Sequence, residues 1–576
     1  MFSFVLTVLA FASCCSSQFV PTPKDLKHAK GYAGVNVRYK EVPNGICELN
    51  PHVKSFAGYS DIADNQHLFW WFFEARRIDP KTAPLTVWIN GGPGSSSMIG
   101  QFQENGPCFI NSSYGVYNNP YSWSEVSNMI FIDSPAQVGF SYSVPVPGAI
   151  NDDGDVIVSK NGKCPKGLED SCGTYSLPDL NDTVNSTANA APGFWKTLQG
   201  FMGAFPQYSR NDFHFTTESY GGHYAPVFSE YIEQQNKKGI GHPIHLKAVL
   251  IGNGWYDPVI QYPAYYNFTV YPGNTYDYDP FNKTIQKQMY NALYGKGGCV
   301  DGIKECYATG DNKICSKHDD FCASNVEFLL DDPANRDEYD IRELFPDPFP
   351  PEFYVDYLNT EKVQKAVGAF VNYTESSNAV GDAFANTGDD GREAHTIEDL
   401  QSLLKDGVTV IMYTGDADYN CNWLGGEVVS TEICPRITKA GYTDIITSDG
   451  IVHGQVRQAD TFAFARIYQS GHEVPFYQPV VALEMFERVI NGKDVATGKI
   501  NIACDRKYLT KGTPKSTHRE GISTVQFTLV PIDDTYNTTT NEPNPYPGQS
   551  SGKPPAAKKS KAQKRKQRAN RLRWSR

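Results

Sequence analysis

Ser219 stands in the segment Phe215-Thr216-Thr217-Glu218-Ser219-Tyr220-Gly221-Gly222-His223-Tyr224, where an apolar run meets small residues. This pattern predicts a buried strand over Asp212 to Thr216, a sharp turn and a helix, with the serine hydroxyl exposed on the turn as a nucleophile. Gly221 and Gly222 remove the Cβ atoms that would block the helix from turning back against the strand. Thr217 replaces the first glycine of the commoner G-x-S-x-G pattern, so the pentapeptide alone also fits a surface Ser/Gly turn. Three further segments supply what a serine nucleophile needs. Thr86 to Ser97 reads T-V-W-I-N-G-G-P-G-S-S-S, a strand entering a glycine-rich turn whose backbone N–H groups can face a developing oxyanion. Val408 to Asp418 is a strand ending in two carboxylates, Asp416 and Asp418, and Gln469 to Pro475 is a loop presenting His472.

The order serine, acid, histidine, each at a strand end or in a loop, is that of the α/β-hydrolase triads. The motifs E-S-Y-G-G-H-Y, W-I-N-G-G-P-G-S-S-S, G-D-A-D-Y-N-C-N-W-L-G-G and G-H-E-V-P closely resemble the serine carboxypeptidases, most nearly their secreted fungal members. The likeness runs from about Gly31 to about Gly492 and includes F-I-D-S-P at Phe131 to Pro135 and I-G-N-G-W-Y-D-P at Ile251 to Pro258. It implies an α/β-hydrolase fold, with a central mostly parallel sheet flanked by helices and an inserted cap, and chemistry without metal or other cofactor. It also implies Ser219 as nucleophile, His472 as general base and then acid, and Asp418 as the group orienting the imidazole. Asp418 is preferred to Asp416 because the family's acid lies three residues before the cysteine that is here Cys421. The backbone N–H groups of Gly92 and Tyr220 would form the oxyanion hole.

The resemblance further assigns Asn90, Gly91, Glu104 and Glu218 to the free carboxylate at the end of the substrate. Two adjacent carboxyl groups cannot both ionise cheaply, so one keeps its proton and can donate a hydrogen bond to that carboxylate, which implies an acidic working range. Where the family often has methionine after the histidine, this chain has Glu473, near the expected place of the leaving residue. A carboxylate there favours a lysine or arginine leaving group, or is a solvated rim residue. Ser95 stands where several relatives have a half-cystine.

Residues 1–17 carry the apolar run Phe4 to Ala12 followed by small residues and read as a signal peptide, although a basic start is lacking. No later run is long enough to span a membrane. Sequons begin at Asn111, Asn181, Asn185, Asn267, Asn282, Asn372 and Asn537, so a secreted, glycosylated protein is expected, with the vacuole or cell wall as alternatives. Of 13 cysteines, Cys14 and Cys15 leave with the leader, and the odd remainder requires a free thiol or an external partner. The near-symmetric spacing of Cys299, Cys306, Cys315 and Cys322 suggests nested bridges, 299 to 322 and 306 to 315, without excluding other pairings. Cys164 with Cys172 would close a small insertion, and the resemblance nominates Cys421 as the free thiol.

The expected organisation is a catalytic domain over 18–548, with a sheet from about Leu85 to about Val474, a cap over about 259–395, and a basic tail over 549–576. Lys553 to Arg576 holds 11 Lys or Arg and no acid; with a formal net charge of -12, the part before it carries about -23. Such a run reads as a solvated extension capable of weak electrostatic attachment, with no nucleic acid expected as partner. The function expected is release of single C-terminal residues from peptides and proteins. An acyltransferase or lyase on the same fold would not need Asn90, Glu104 and Glu218, and a silent binding protein would not need the triad.

Overall fold

The computed structural model describes residues 19–270, 273–345, 350–392, 395–502, 507–529, 536–537 and 542–543. The expected leader and basic tail lie outside the described residues. The central sheet has twelve strands. Its first half comprises β1 (Lys27–Lys30), β2 (Asn36–Val42), β3 (Ser55–Ala63), β4 (Gln66–Phe73), β5 (Leu85–Ile89) and β6 (Asn128–Ile132). Its second half comprises β7 (Phe213–Glu218), β8 (Leu246–Gly252), β9 (Thr409–Gly415), β10 (Thr443–Ile446), β11 (Val452–Ala459) and β12 (Phe462–Ile467). Side by side they run β1-β2-β3-β4-β6-β5-β7-β8-β9-β12-β11-β10. Neighbours from β6 to β12 are parallel, whereas β4 meets β6, and β11 meets β12, antiparallel.

The parallel strands are unbroken apolar runs because helices and loops cover both faces of the sheet. Their side chains still alternate. Val87, Ile89, Val249, Ile251, Val410 and Met412 enter one core, while Trp88, Ala248, Leu250, Ile411 and Tyr413 enter the other. Burying each large aliphatic chain is worth roughly 1.5–3 kcal/mol, so a one-residue register slip, which exchanges the faces, is strongly opposed. The sheet begins earlier than the sequence reading placed it, since β1 to β4 precede Leu85. β4, Q-H-L-F-W-W-F-F, is the overlooked signal, an apolar run whose last six residues are buried.

Two helices cover one face next to β7. Thr187–Ala204 opens on Ser186, whose hydroxyl accepts from Asn189 N–H. Gly221–Lys238 closes on Gly239 at φ +66°, a left-handed position suited to glycine. Between β8 and β9 the chain builds a helical excursion from Pro258–Thr269 to Asn378–Ala385, then the helix Thr396–Lys405. Disulfides Cys299–Cys322 and Cys306–Cys315 clamp two of its helices, Cys299–Thr309 and Asn312–Cys322, in the nested pairing. Cys164–Cys172 and Cys47–Cys108 are also bridged. Among the described residues, Cys421 and Cys434 are free thiols; Cys504 lies outside them. Ser95 pairs with Ser376 through a backbone bridge.

β7 ends at Glu218, and Ser219 follows at φ +61°. A non-glycine residue rarely adopts this left-handed conformation, and it holds here because the surroundings overdetermine it. Ser219 N–H donates to the carbonyls of Gly252 and Asn253, and Ser219 C=O accepts from Trp255 N–H at 2.9 Å. A Cβ on Gly221 would overlap Thr217 Oγ1, and one on Gly222 would overlap the Trp255 carbonyl. The second obstacle is backbone and cannot swing away. Gly222→Ala should therefore lower stability by about 1–3 kcal/mol and slow covalent labelling of Ser219, read by thermal unfolding and by the rate of reaction with an organophosphorus reagent.

Candidate active site

The carboxyl ends of parallel strands deliver the candidate residues to one edge of the sheet: Asn90 to Gly92 follow β5, Ser219 follows β7, and Asp416 and Asp418 follow β9. His472 lies in the loop after β12, held by its own N–H donating to Tyr339 C=O at 2.9 Å and by the Tyr339 ring at 4.9 Å from the imidazole. Its Nδ1 is 3.0 Å from Asp418 Oδ2. The two carboxylates that the strand left open are now separated. Asp416 instead accepts from Thr275 Oγ1, Tyr276 OH and Gln469 N–H, beside Arg466 at 3.7 Å. Asp418 is fully buried and also accepts from Asn253 Nδ2 and Cys421 N–H. Burial and the neighbouring carboxylates push the Cys421 thiol well up, which keeps it a protonated thiol rather than a nucleophile or metal ligand.

The glycine-rich turn after β5 packs directly on the serine turn. A Cβ on Gly91 would overlap Tyr220 N and lie 2.8 Å from Ser219 Cβ, so only glycine brings Gly92 this close. Asp133, at the end of β6, pins the turn: its Oδ1 accepts from Ser96 Oγ at 2.6 Å and Ser97 N–H at 3.0 Å, and burial raises it to about 6. The sequence reading quoted F-I-D-S-P but gave Asp133 no role, because nothing local says what a buried aspartate will hold.

Asn90 has its amide orientation settled by its partners. Oδ1 accepts from Trp88 Nε1 and Gly100 N–H, both pure donors, which turns Nδ2 toward Glu218 Oε1 at 2.8 Å and Glu104 Oε1 at 3.4 Å. Glu104 is raised well above the usual carboxyl range by burial and then by the charge of Glu218. Glu218 is raised by burial and then by Glu473. Glu473 is itself raised by burial, then Glu104 and Glu375, and its Oε2 is enclosed without a hydrogen-bond partner. The expectation of a solvated rim glutamate therefore needs correction: Glu473 forms a third member of a proton-holding carboxyl cluster.

Beside Ser219 a cavity of about 430 Å³ is lined by Gly92 and Tyr220, by aromatic side chains including Trp255, Tyr265 and Tyr339, and by Asp319, Glu327, Glu338 and Asp390. No lining residue is Lys, Arg or His. Asn420 Nδ2 orients two of these acids, donating to Glu327 Oε1 at 2.8 Å and Glu338 Oε2 at 3.1 Å.

The sequons divide by exposure. Asn181, Asn185, Asn267 and Asn282 are exposed. Asn111 is only 7 % exposed, with Nδ2 donating to Tyr117 OH and Oδ1 accepting from Ser113 and Gly115 N–H, so it is a poor glycan acceptor. Asn372 is half-buried, bonded to Asn359 and Thr174. The side chain of Asn537 lies outside the described residues. No helix among the described residues is long and apolar enough to cross a membrane.

A mostly parallel sheet carrying a strained serine turn, a glycine-rich neighbour and a buried Asp–His pair at one edge defines an α/β hydrolase of the serine type. The family model for serine carboxypeptidases matches residues 43–492, and the chain belongs to that family. It is 41% identical over 558 residues to Carboxypeptidase S1 homolog A of Arthroderma otae, covering 88% of this chain and 85% of that one. It is 38% identical over 463 residues to Carboxypeptidase S1 of Penicillium janthinellum, covering 79% and 99%. The solved prohormone-processing carboxypeptidase of Saccharomyces cerevisiae shares the fold at a TM-score of 0.58 and 20% identity, covering 82% of this chain and 96% of that one.

Because Glu104 and Glu218 are raised, the folded protein binds their protons more tightly than the unfolded chain does. Their contribution to stability is full below the ordinary glutamate range and is lost as pH rises through the raised values. The melting temperature should fall between about pH 5 and about pH 8, and Glu104→Gln, which cannot ionise, should flatten that fall. Parallel profiles for the variant and wild type would place the pH-dependence elsewhere.

Proposed function

We propose that this carboxypeptidase releases single C-terminal residues through an acyl-enzyme, working best at acidic pH, as a secreted glycoprotein. The observation that carries this reading is the Asn90–Glu104–Glu218 cluster held against the turn of Ser219, which pairs carboxylate recognition with acyl transfer. Ser219 Oγ attacks the last peptide carbonyl while His472 takes its proton, and Asp418 steadies the resulting imidazolium. The oxyanion faces the N–H groups of Gly92 and Tyr220. Collapse breaks the C–N bond as His472 returns the proton to the leaving amine. Water, deprotonated by His472, then splits the ester and restores the serine. Asn90, Gly91 and the protonated member of the glutamate pair hold the terminal carboxylate. Deprotonation at higher pH replaces that hydrogen bond by repulsion.

Two features set the substrate class. Glu473, after His472, faces the leaving residue, and a lysine or arginine there would draw the proton from the raised carboxyl and pair with it. The acidic cavity lies beside Ser219 on the acyl side, where aromatic walls suit an aliphatic stem and the carboxylates suit its cationic end. The favoured substrates are peptides with basic side chains at the last two positions.

The expected leader, the sequons and the four disulfides support passage through an oxidising secretory route, with vacuole or cell wall as other destinations. The catalytic unit over 18–548, with its helical excursion acting as cap, and loose surface attachment by the tail at 549–576 belong to the same reading.

Mass spectrometry of a peptide panel tests the reaction. Ser219→Ala should stop trimming, and free-acid peptides should lose KM with rising pH far more than their C-terminal amides do; trimming by the alanine variant, or matching acid and amide profiles, would sink the mechanism. Glu473→Met should lower kcat/KM for peptides ending in Lys or Arg relative to Leu or Phe by about tenfold, the scale of a partly exposed charge pair; an unchanged preference would remove its specificity role. Glycopeptide mapping should find glycans at Asn181, Asn185, Asn267 and Asn282 and bare side chains at Asn111 and Asn372.

A further inference from the structure

Asn253 stands inside the I-G-N-G-W-Y-D-P motif, yet the chemistry above leaves it without a role. We propose that Asn253 is a positioning residue that locks the serine turn to the triad carboxylate, an inference resting on Ser219, Asp418 and His472 forming the triad. It follows β8, which lies between β7, leading to Ser219, and β9, leading to Asp418. The residue is fully buried and reaches both sides. Its carbonyl accepts from Ser219 N–H at 3.1 Å, and its N–H donates to Tyr413 C=O at 2.8 Å. Its side-chain Oδ1 accepts from Gly415 N–H at 3.2 Å, and Nδ2 donates to Asp418 Oδ2 at 2.6 Å.

Asp418 Oδ2 receives two other donors, Cys421 N–H at 3.2 Å and His472 Nδ1 at 3.0 Å. Cys421 belongs to the same loop as Asp418 and cannot fix that loop against Ser219. Asn253 can, because the carbonyl that holds the serine turn and the amide that holds the carboxylate are parts of one residue. Its backbone sits at φ +40°, a left-handed conformation that asparagine tolerates better than most side chains.

The amide also bears on charge. Asp418 Oδ1 is enclosed without a hydrogen-bond partner, so the donors on Oδ2 are what offset burial of the carboxylate. Removing one leaves the carboxylate less satisfied and strengthens its attraction for imidazolium. The other groups facing this pair are Glu104 and Glu473 beside His472, Glu218 and Glu338 acting on Asp418, the Cys421 thiol and the Tyr339 ring. None is altered by changing Asn253.

The test uses Asn253→Gly, which keeps the left-handed backbone and removes only the amide, and Asn253→Asp, which keeps the shape but sets an acceptor against Asp418. Both are compared with wild type after titration of active sites with an organophosphorus reagent. Per titrated site, kcat should fall by about tenfold to a hundredfold with KM within about twofold, as for a reacting group slightly misplaced. The acidic limb of kcat/KM should move to higher pH in Asn253→Gly, and Asn253→Asp should lose more activity. A packing role alone would lower the melting temperature or the titratable fraction and leave kcat per site and the acidic limb unchanged. That result in both variants overturns the proposal. Trimming that survives in Ser219→Ala would instead remove the triad reading beneath it, and the proposal with it.

Discussion

Convergence of parallel strand ends is the constraint on which this structure depends. Parallel strands all present their carboxyl ends at the same edge, and their backbones must turn there with few ladder partners left. The turns after β5, β7, β8 and β9 solve that shortage for one another: the turn at Ser219 gives its N–H to the end of β8, and the residue after β8 gives its N–H to Tyr413 in β9. A polar edge is thereby satisfied internally, which leaves a few side chains and amides free to face a ligand. The sheet cores on either face make the arrangement stiff enough to hold Ser219 at φ +61°.

Glycine works here through close approach rather than through flexibility. Gly91 lets one turn rest on another, and Gly222 lets a helix begin against the Trp255 carbonyl. The aspartate behind these turns is equally specific in its use, since Asp133 ties two successive serines of the glycine-rich segment and so fixes where Gly92 lies. What looks like a loose G-G-P-G-S-S-S stretch is one of the best-anchored parts of the molecule.

Much of this was legible in the sequence because it lives in short contiguous patterns. The apolar runs of β5, β7, β8 and β9 announced buried parallel strands, and the turns at their ends carried the serine, the acids and the glycines. The nested cysteine spacing foretold how two helices would be clamped. What escaped has a common physical cause. β1 to β4 carry no chemistry-bearing motif, Glu473 takes its character from burial beside Glu104 rather than from its neighbours in sequence, and Asn253 and Asp133 matter only through partners far along the chain. Burial and long-range hydrogen bonds leave little trace in local composition.

The Asn90–Glu104–Glu218 cluster has one more consequence. On the proposed reading, what it grips is a group that every cut regenerates: removing one residue exposes a new terminal carboxylate on the shortened chain, identical in kind to the one just released. The grip alone therefore gives no reason to stop. A digest sampled at intermediate times is a ladder of successive lengths, and the rung where it stalls is chosen by the side-chain pockets rather than by the cluster that takes hold of the end.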